Sequence, residues 1–145
     1  LKLLLTQFPK EHTALVFTNK PHSNVLIKHI NVHYIQIFVF INIINNARDA
    51  LVENKIQSGL IEIKTKIEDN TGVITIQDNA GGIPTDVIDR IFEPYYTTKE
   101  QGKGTGIGLY MSKMIIIDNL HGELLVSNKE DGARFEIKVD LIKEQ

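Results

Sequence analysis

Two hydrophobic periods alternate along the chain. Over residues 61–68, Ile61, Ile63, Thr65 and Ile67 fall on one side and Glu62, Lys64, Lys66 and Glu68 on the other. That period of two belongs to a half-buried strand. Asp69-Asn70-Thr71-Gly72 then makes a turn, and residues 73–77 return as a second strand. The pattern recurs near the C-terminus, where Phe135, Ile137, Val139 and Leu141 alternate with Arg134, Glu136, Lys138 and Asp140. Residues 123–127 and 133–141 are therefore expected as strands, joined as a hairpin by Lys129-Glu130-Asp131-Gly132.

Residues 33–54 are rich in β-formers, but their polar positions keep a helical period. Asn42, Asn46, Asp49 and Glu53 share one face, while Phe38, Ile41, Ile44, Ala47 and Leu51 occupy the others. A helix with one polar seam follows. Residues 84–91 suit a short helix with Pro84 in its first turn. Residues 93–105 form a polar, glycine-bearing loop. Residues 107–119 form a helix, with Leu109, Met111, Ile115 and Ile116 as buried candidates. Before residue 33 the pattern is weaker: a helix tail over 2–8 stopped by Pro9, then short strands over 14–17 and 25–29 around Lys20-Pro21. The expected fold class is an α/β (α+β) two-layer sandwich, a mixed and largely antiparallel sheet with helices on one face.

Composition narrows the function. The chain has 145 residues, 42% of them hydrophobic and 23% charged, which suits one globular domain. A formal net charge of −2 gives no support for nucleic-acid binding or contact with an anionic membrane. The absence of Cys excludes disulfides, thiolate metal sites and a Cys nucleophile. The apolar run over 34–44 is far short of the ~20 residues a membrane helix needs. His12, His22, His29 and His33 raise a metal site as one reading, but they are irregularly spaced and have no carboxylate pair beside them, so they read rather as solvated loop residues. The chain opens on Leu1, and the expectation is a piece of a longer protein.

Three segments carry chemistry. Gly102-Lys103-Gly104-Thr105-Gly106-Ile107-Gly108 leads straight into a helix. Glycines admit close backbone approach and a helix start favours anions, so this is either a phosphate cradle or a flexible loop. Its spacing is not that of a Walker A loop. Asp78-Asn79-Ala80-Gly81-Gly82-Ile83 ends a strand. Its carboxylate is either a pocket-facing acceptor for an exocyclic amine or a turn cap. The Asn42/Asn46/Asp49 seam lies beside Ala47 and Ala50 and suits a confined site, and an Asn carbonyl oxygen suits Mg²⁺ shared with phosphates.

In this order the segments resemble the ATP-binding domain of sensor histidine kinases, within the superfamily that includes gyrase, Hsp90 and MutL. Residues 42–50 look like the N box, 78–83 like the first glycine box, and 102–110 like the second. Ile91-Phe-Glu-Pro-Tyr-Tyr-Thr-Thr-Lys99 looks like the F box, and Gly132-Ala-Arg-Phe135 like the terminal Gly-x-x-Phe. The resemblance implies a Bergerat-type fold with an ATP lid. It implies that Asn46 holds Mg²⁺, that Asp78 bonds the adenine amine, and that Gly82 and Ile83 cover the base. ATP-binding residues would also include Asp49, Thr98, Lys99, Gly104, Thr105, Gly106, Ile107, Gly108 and Leu109. Phe92 and Gly102 would serve the hinge and lid. Residues 1–10 would end a preceding helical linker and 11–145 would be the kinase domain. Ala80 departs from the family's usual Gly, which matters only if that position needs φ > 0.

ATP-hydrolysing relatives carry a Glu one turn before the Mg²⁺ Asn. Here that place is Asn42, which cannot take a proton. The implied activity is transfer of the γ-phosphoryl group to a His on a separate dimerisation domain upstream, then relay to a response regulator. No His here lies in a phosphoacceptor pattern, so this chain contributes no catalytic acceptor. A cytoplasmic location is expected, whether or not the parent protein is membrane-anchored. The rival readings are a serine kinase of the anti-sigma-factor type on the same fold, and a catalytically silent nucleotide-binding scaffold.

Overall fold

The computed structural model describes residues 13–19, 34–100, 102 and 104–140. The elements are β1 (Thr13–Asn19), α1 (Tyr34–Glu53), β2 (Gly59–Glu68), β3 (Thr71–Asp78), α2 (Thr85–Ile88), α3 (Gly108–Leu120), β4 (Glu123–Lys129) and β5 (Gly132–Asp140). They form one five-stranded sheet in the order β1-β2-β3-β5-β4. β1 runs parallel to β2 and every other neighbouring pair is antiparallel, so the sheet is mixed and largely antiparallel. Residues 1–10, 25–29 and Leu141, and His12, His22, His29 and His33, for which the sequence gives expectations, lie outside the described residues.

Register explains the two faces. Ile63, Ile76, Phe135 and Val126 align in one row across β2, β3, β5 and β4, and Thr65, Ile74, Ile137 and Leu124 align in another. These rows meet Val39, Ile43, Ala47 and Leu51 of α1 and Ile116 of α3 in one core. The alternate rows are charged: Glu62, Gln77, Arg134 in one, Lys64, Thr75, Glu136 in the next, Lys66, Val73, Lys138 in the third. Val73 and Thr75 are nonetheless buried. They sit on the central strand between long charged side chains whose alkyl stems can lie over them.

Three expectations change. Phe38 and Met111 are 43% and 39% exposed, not core residues. The buried stripe of α1 runs through Val39, Ile43, Ala47 and Leu51, and one residue is a rotation of about 100°, which turns Phe38 aside. In α3 the buried positions are Ser112 and Ile116, one turn apart, and Met111 is displaced in the same way. The helix expected over 84–91 is a single turn, Thr85–Ile88, with Pro84 at the N-cap. It ends so that the following turn can carry Ile91 into the core and set Phe92 edge-on against Phe135, ring centroids 6.4 Å apart. Among the described residues no helix is long and apolar enough to cross a membrane.

Candidate functional site

A cleft of about 730 Å³ opens between the polar seam of α1, the turn after β3 and the loop before α3. That is the scale of a cofactor-sized pocket. At one end stands Asp78, only 6% exposed. Its Oδ1 accepts hydrogen bonds from the Ala80 N–H at 2.9 Å and the Ala133 N–H at 3.1 Å. Among the described residues nothing bonds Oδ2, which leaves an acceptor for a ligand in the cleft that Asp78 lines. Burial pushes the carboxyl above its usual range, and the two N–H groups only partly offset this.

The turn that follows is fixed by three asparagines. Asn79 accepts from the Leu60 N–H at 2.8 Å and donates to the Ser58 carbonyl at 2.9 Å, tying the turn to β2. Asn54 donates to the Ala80 carbonyl at 2.6 Å. Asn128 accepts from the Ile83 N–H at 2.8 Å and donates to the Ile83 carbonyl at 2.7 Å. Gly81 and Gly82 take φ of +97° and +80°, which an L side chain resists, whereas Ala80 is not among the positive-φ residues. The departure at Ala80 therefore carries no backbone strain, and its methyl joins the core.

The other end of the cleft is polar. Asn42 and Asn46 lie one helical turn apart on α1. The Asn42 amide donates to the Ser112 hydroxyl at 3.4 Å, which donates to the Gly108 carbonyl at 2.8 Å. Gly108 carries no side chain where Asn42 Oδ1 would stand 2.9 Å from a Cβ, so the start of α3 can close onto α1. Lys99 reaches across from the loop: its ammonium donates to Asp49 Oδ2 at 2.7 Å and to Asn46 Oδ1 at 3.3 Å. Asn46 Oδ1 thus already faces a cation. It is a hard oxygen donor of the kind Mg²⁺ takes alongside phosphate oxygens and water.

The loop is closed at its base. The Tyr95 N–H donates to the Gly106 carbonyl at 3.0 Å, with Tyr95 at φ +65° and Gly106 at φ +66°. A Cβ on Gly106 would strike the Tyr95–Tyr96 peptide. Thr97, Thr98, Lys99, Gly104 and Thr105 line the cleft above this base.

Of the residues singled out in the sequence, Asn46, Asp49, Asp78, Gly82, Ile83, Thr98, Lys99, Gly104, Thr105, Gly106, Gly108 and Leu109 line this one cleft. Three do not. Ile107 is the N-cap of α3, Phe92 packs against Phe135, and Gly102 is exposed with φ +89°. Sequence reasoning missed Asn54 and Asn128, whose roles depend on partners 26 and 45 residues away, and Val87, Ile91 and Tyr96 on the apolar side of the cleft. The Tyr96 ring is covered on one face by the Arg90 guanidinium, 4.3 Å from its centroid.

Asp49 shows the opposite titration to Asp78. Burial pushes its carboxyl up, but hydrogen bonds and charge from Lys99 and Arg48 outweigh this and hold it below the usual range. Its folded pKa is lowered, so its stability contribution is present above pH 3.8 and lost as pH falls through the folded value. Asp49→Asn should therefore flatten the acid limb of the stability curve, read as the urea midpoint from about pH 5 down to about pH 2, across and below the unfolded value of 3.8. At neutral pH its cost should stay near 1 kcal/mol, because both partners are about a third exposed. An unchanged acid limb would refute the assignment.

Residues 37–143 match the histidine kinase-, DNA gyrase B- and HSP90-like ATPase family. The two-component sensor PprA of Pseudomonas aeruginosa is 39% identical over 109 residues, 71% of this chain and 11% of that protein. Sporulation kinase A of Bacillus subtilis is 42% identical over 68% of this chain and 15% of that protein. Sporulation kinase C of the same organism is 32% identical over 94% of this chain and 33% of its own length. This chain thus spans between about a tenth and a third of these relatives. Among solved structures, the nucleotide-free catalytic domain of histidine kinase ThkA superimposes with a TM-score of 0.73 at 25% identity, over 97% of this chain and 86% of that one. The chain therefore belongs to the histidine kinase-, DNA gyrase B- and HSP90-like ATPase family, with the fold of a histidine kinase catalytic domain.

Proposed function

We propose that this chain is the ATP-binding catalytic domain of a sensor histidine kinase. It binds Mg-ATP and passes the γ-phosphoryl group to a His on a separate dimerisation domain upstream in the parent protein, for relay to a response-regulator aspartate. The observation that supports this best is one cleft with a buried, half-satisfied carboxylate at one end and amides, a lysine and glycines at the other. An adenine amine can donate to Asp78 Oδ2, and the phosphates then lie toward Asn46, Lys99 and the start of α3.

Each residue's share follows from its chemistry. Asp78 fixes the base and Ile83 covers it. Lys99 exchanges its carboxylate partner for phosphate oxygens, releasing Asn46 Oδ1 for Mg²⁺. The ion would neutralise phosphate charge. Gly104, Gly106 and Gly108 let backbone approach the phosphates closely. Asn42 lines the cleft at the place where ATP-hydrolysing relatives carry a Glu, and a neutral amide cannot serve as the base that activates water; its nitrogen donates to Ser112 instead. The γ-phosphoryl group is kept from water and presented to another nucleophile, with catalysis by positioning and charge neutralisation.

The test uses the 145-residue chain, γ-labelled ATP and a separate acceptor-His domain added in trans. The expected product is an acid-labile, alkali-stable phosphohistidine on the acceptor. Asn46→Asp should weaken Mg-ATP binding at least about tenfold by placing a second negative charge beside the phosphates. A phosphoserine product would decide for the anti-sigma-factor type of kinase. Tight ATP binding with no transfer would decide for a silent scaffold.

A further inference from the structure

Asn128 lies near the end of β4, at the edge of the sheet, and nothing in its local sequence marks it. Its side-chain amide nevertheless pairs with both backbone groups of Ile83, accepting from the N–H at 2.8 Å and donating to the carbonyl at 2.7 Å. Only one orientation of an amide satisfies both bonds, so the chemistry fixes which atom faces which. The arrangement copies what a neighbouring strand would do for one residue. It also fills the space beside Gly82, where a Cβ would stand 2.8 Å from Asn128 Oδ1.

The rung that holds Asn128 adds the second half. Asn128 is registered with Ala133 across the β4–β5 hairpin. Ala133 donates its N–H to Asp78 Oδ1 at 3.1 Å. One rung therefore fixes two walls of the same end of the cleft: Ala133 sets the carboxylate, and Asn128 sets the Ile83 backbone, whose residue also lines the cleft. Asn128 itself does not line it, so any effect on a ligand passes through Ile83.

We infer that Asn128 is a positioning residue for the nucleobase, setting the distance between Ile83 and the base held by Asp78. This rests on reading the Asp78 end of the cleft as the base site. The base sees the effect and the phosphates do not, because the phosphate end is built from α1, Lys99 and the start of α3.

The test compares two probes on the 145-residue chain, ADP and inorganic triphosphate, each with Mg²⁺, by calorimetry. Asn128→Ala removes both hydrogen bonds and should raise the Kd for ADP roughly tenfold, about 1.4 kcal/mol, through lost hydrogen bonding and preorganisation. The Kd for triphosphate should stay within about twofold. Asn128→Asp keeps the shape of the side chain but turns an oxygen toward the Ile83 carbonyl, so ADP should weaken at least as much as in the Ala variant. A purely space-filling role predicts wild-type ADP affinity for Asp, and that result would overturn the inference. So would parallel losses for ADP and triphosphate in both variants. If the unsubstituted chain binds no ADP, the nucleotide reading itself fails; ADP binding untouched by either substitution sinks only the role of Asn128.

Discussion

Asp78→Asn is expected to lower affinity for ADP by roughly 100-fold or more while leaving the fold intact, as read by calorimetry on ADP and by thermal unfolding. The direction follows from hydrogen-bond polarity. Asn can keep its carbonyl oxygen on the Ala80 and Ala133 N–H groups that now hold Oδ1. Its amide nitrogen then takes the place of Oδ2 and presents a donor to the adenine amine, itself a donor. A site built to accept a hydrogen bond and left with two opposed donors loses the bond and keeps the desolvation cost, which is where large discrimination factors arise.

Stability should move the other way. The folded pKa of Asp78 is raised by burial, so the folded state binds this proton more tightly than the unfolded chain. Stability from that group is full below the unfolded value of 3.8 and declines as pH rises toward the folded value. At neutral pH the ionised carboxylate is a burden on the ligand-free fold, and Asn removes the charge. The midpoint of thermal unfolding should therefore hold or rise in Asp78→Asn even as ADP affinity collapses. Affinity for ADP in the unsubstituted chain should weaken on acidification, since a protonated Asp78 is a poorer acceptor. A variant that binds ADP normally, or one that fails to fold, would remove Asp78 from the role assigned to it.

What could be read from the sequence, and what could not, follows the distance over which each feature is determined. The strand alternation over 61–68 and the helical seam of Asn42, Asn46 and Asp49 are local patterns, and β2 and α1 appear where those patterns predict. Residue by residue the glycine loop and Asp78 read as separate segments, joined into one site only by the family resemblance; the cleft between α1, the turn after β3 and the loop before α3 brings them together. Phe38 and Met111 were misplaced because several faces of α1 and α3 are apolar, and packing rather than period decides which is buried. The Asn128–Ile83 and Asn54–Ala80 bonds leave no sequence signal, since each joins a common polar residue to the backbone of a remote one. Ala80 is the reverse case: a departure visible in the sequence whose consequence depended on a backbone angle.

Gly132→Ala should be strongly destabilising, since Gly132 is the most tightly enclosed of the described glycines. Gly132 opens β5 and is not among the positive-φ glycines, so its backbone conformation is open to any residue. Space is what it lacks: a Cβ there would overlap the Asp78 carbonyl, with Asp78 Oδ1 2.9 Å away. The first obstacle is backbone, and the second is a carboxylate oxygen held by two N–H groups. Asp78 ends β3 paired with Ile61 of β2, and its carboxylate is held by the Ala80 and Ala133 N–H groups, so relief requires β5 to part from β3 at the edge of the cleft. Overpacking of this kind costs about 3 kcal/mol, a fall of roughly 10 °C in Tm for a domain this size. The same movement draws Ala133 away from Asp78, so ADP affinity should fall together with stability, unlike the Asp78→Asn case. Gly102→Ala supplies the contrast. Its φ is +89° but a Cβ would meet nothing within 4 Å, so the backbone penalty of about 1 kcal/mol should appear without a change at the Asp78 end. Equal effects of the two substitutions on Tm and on ADP affinity would show that the Gly132–Asp78 contact does not govern the base end of the cleft.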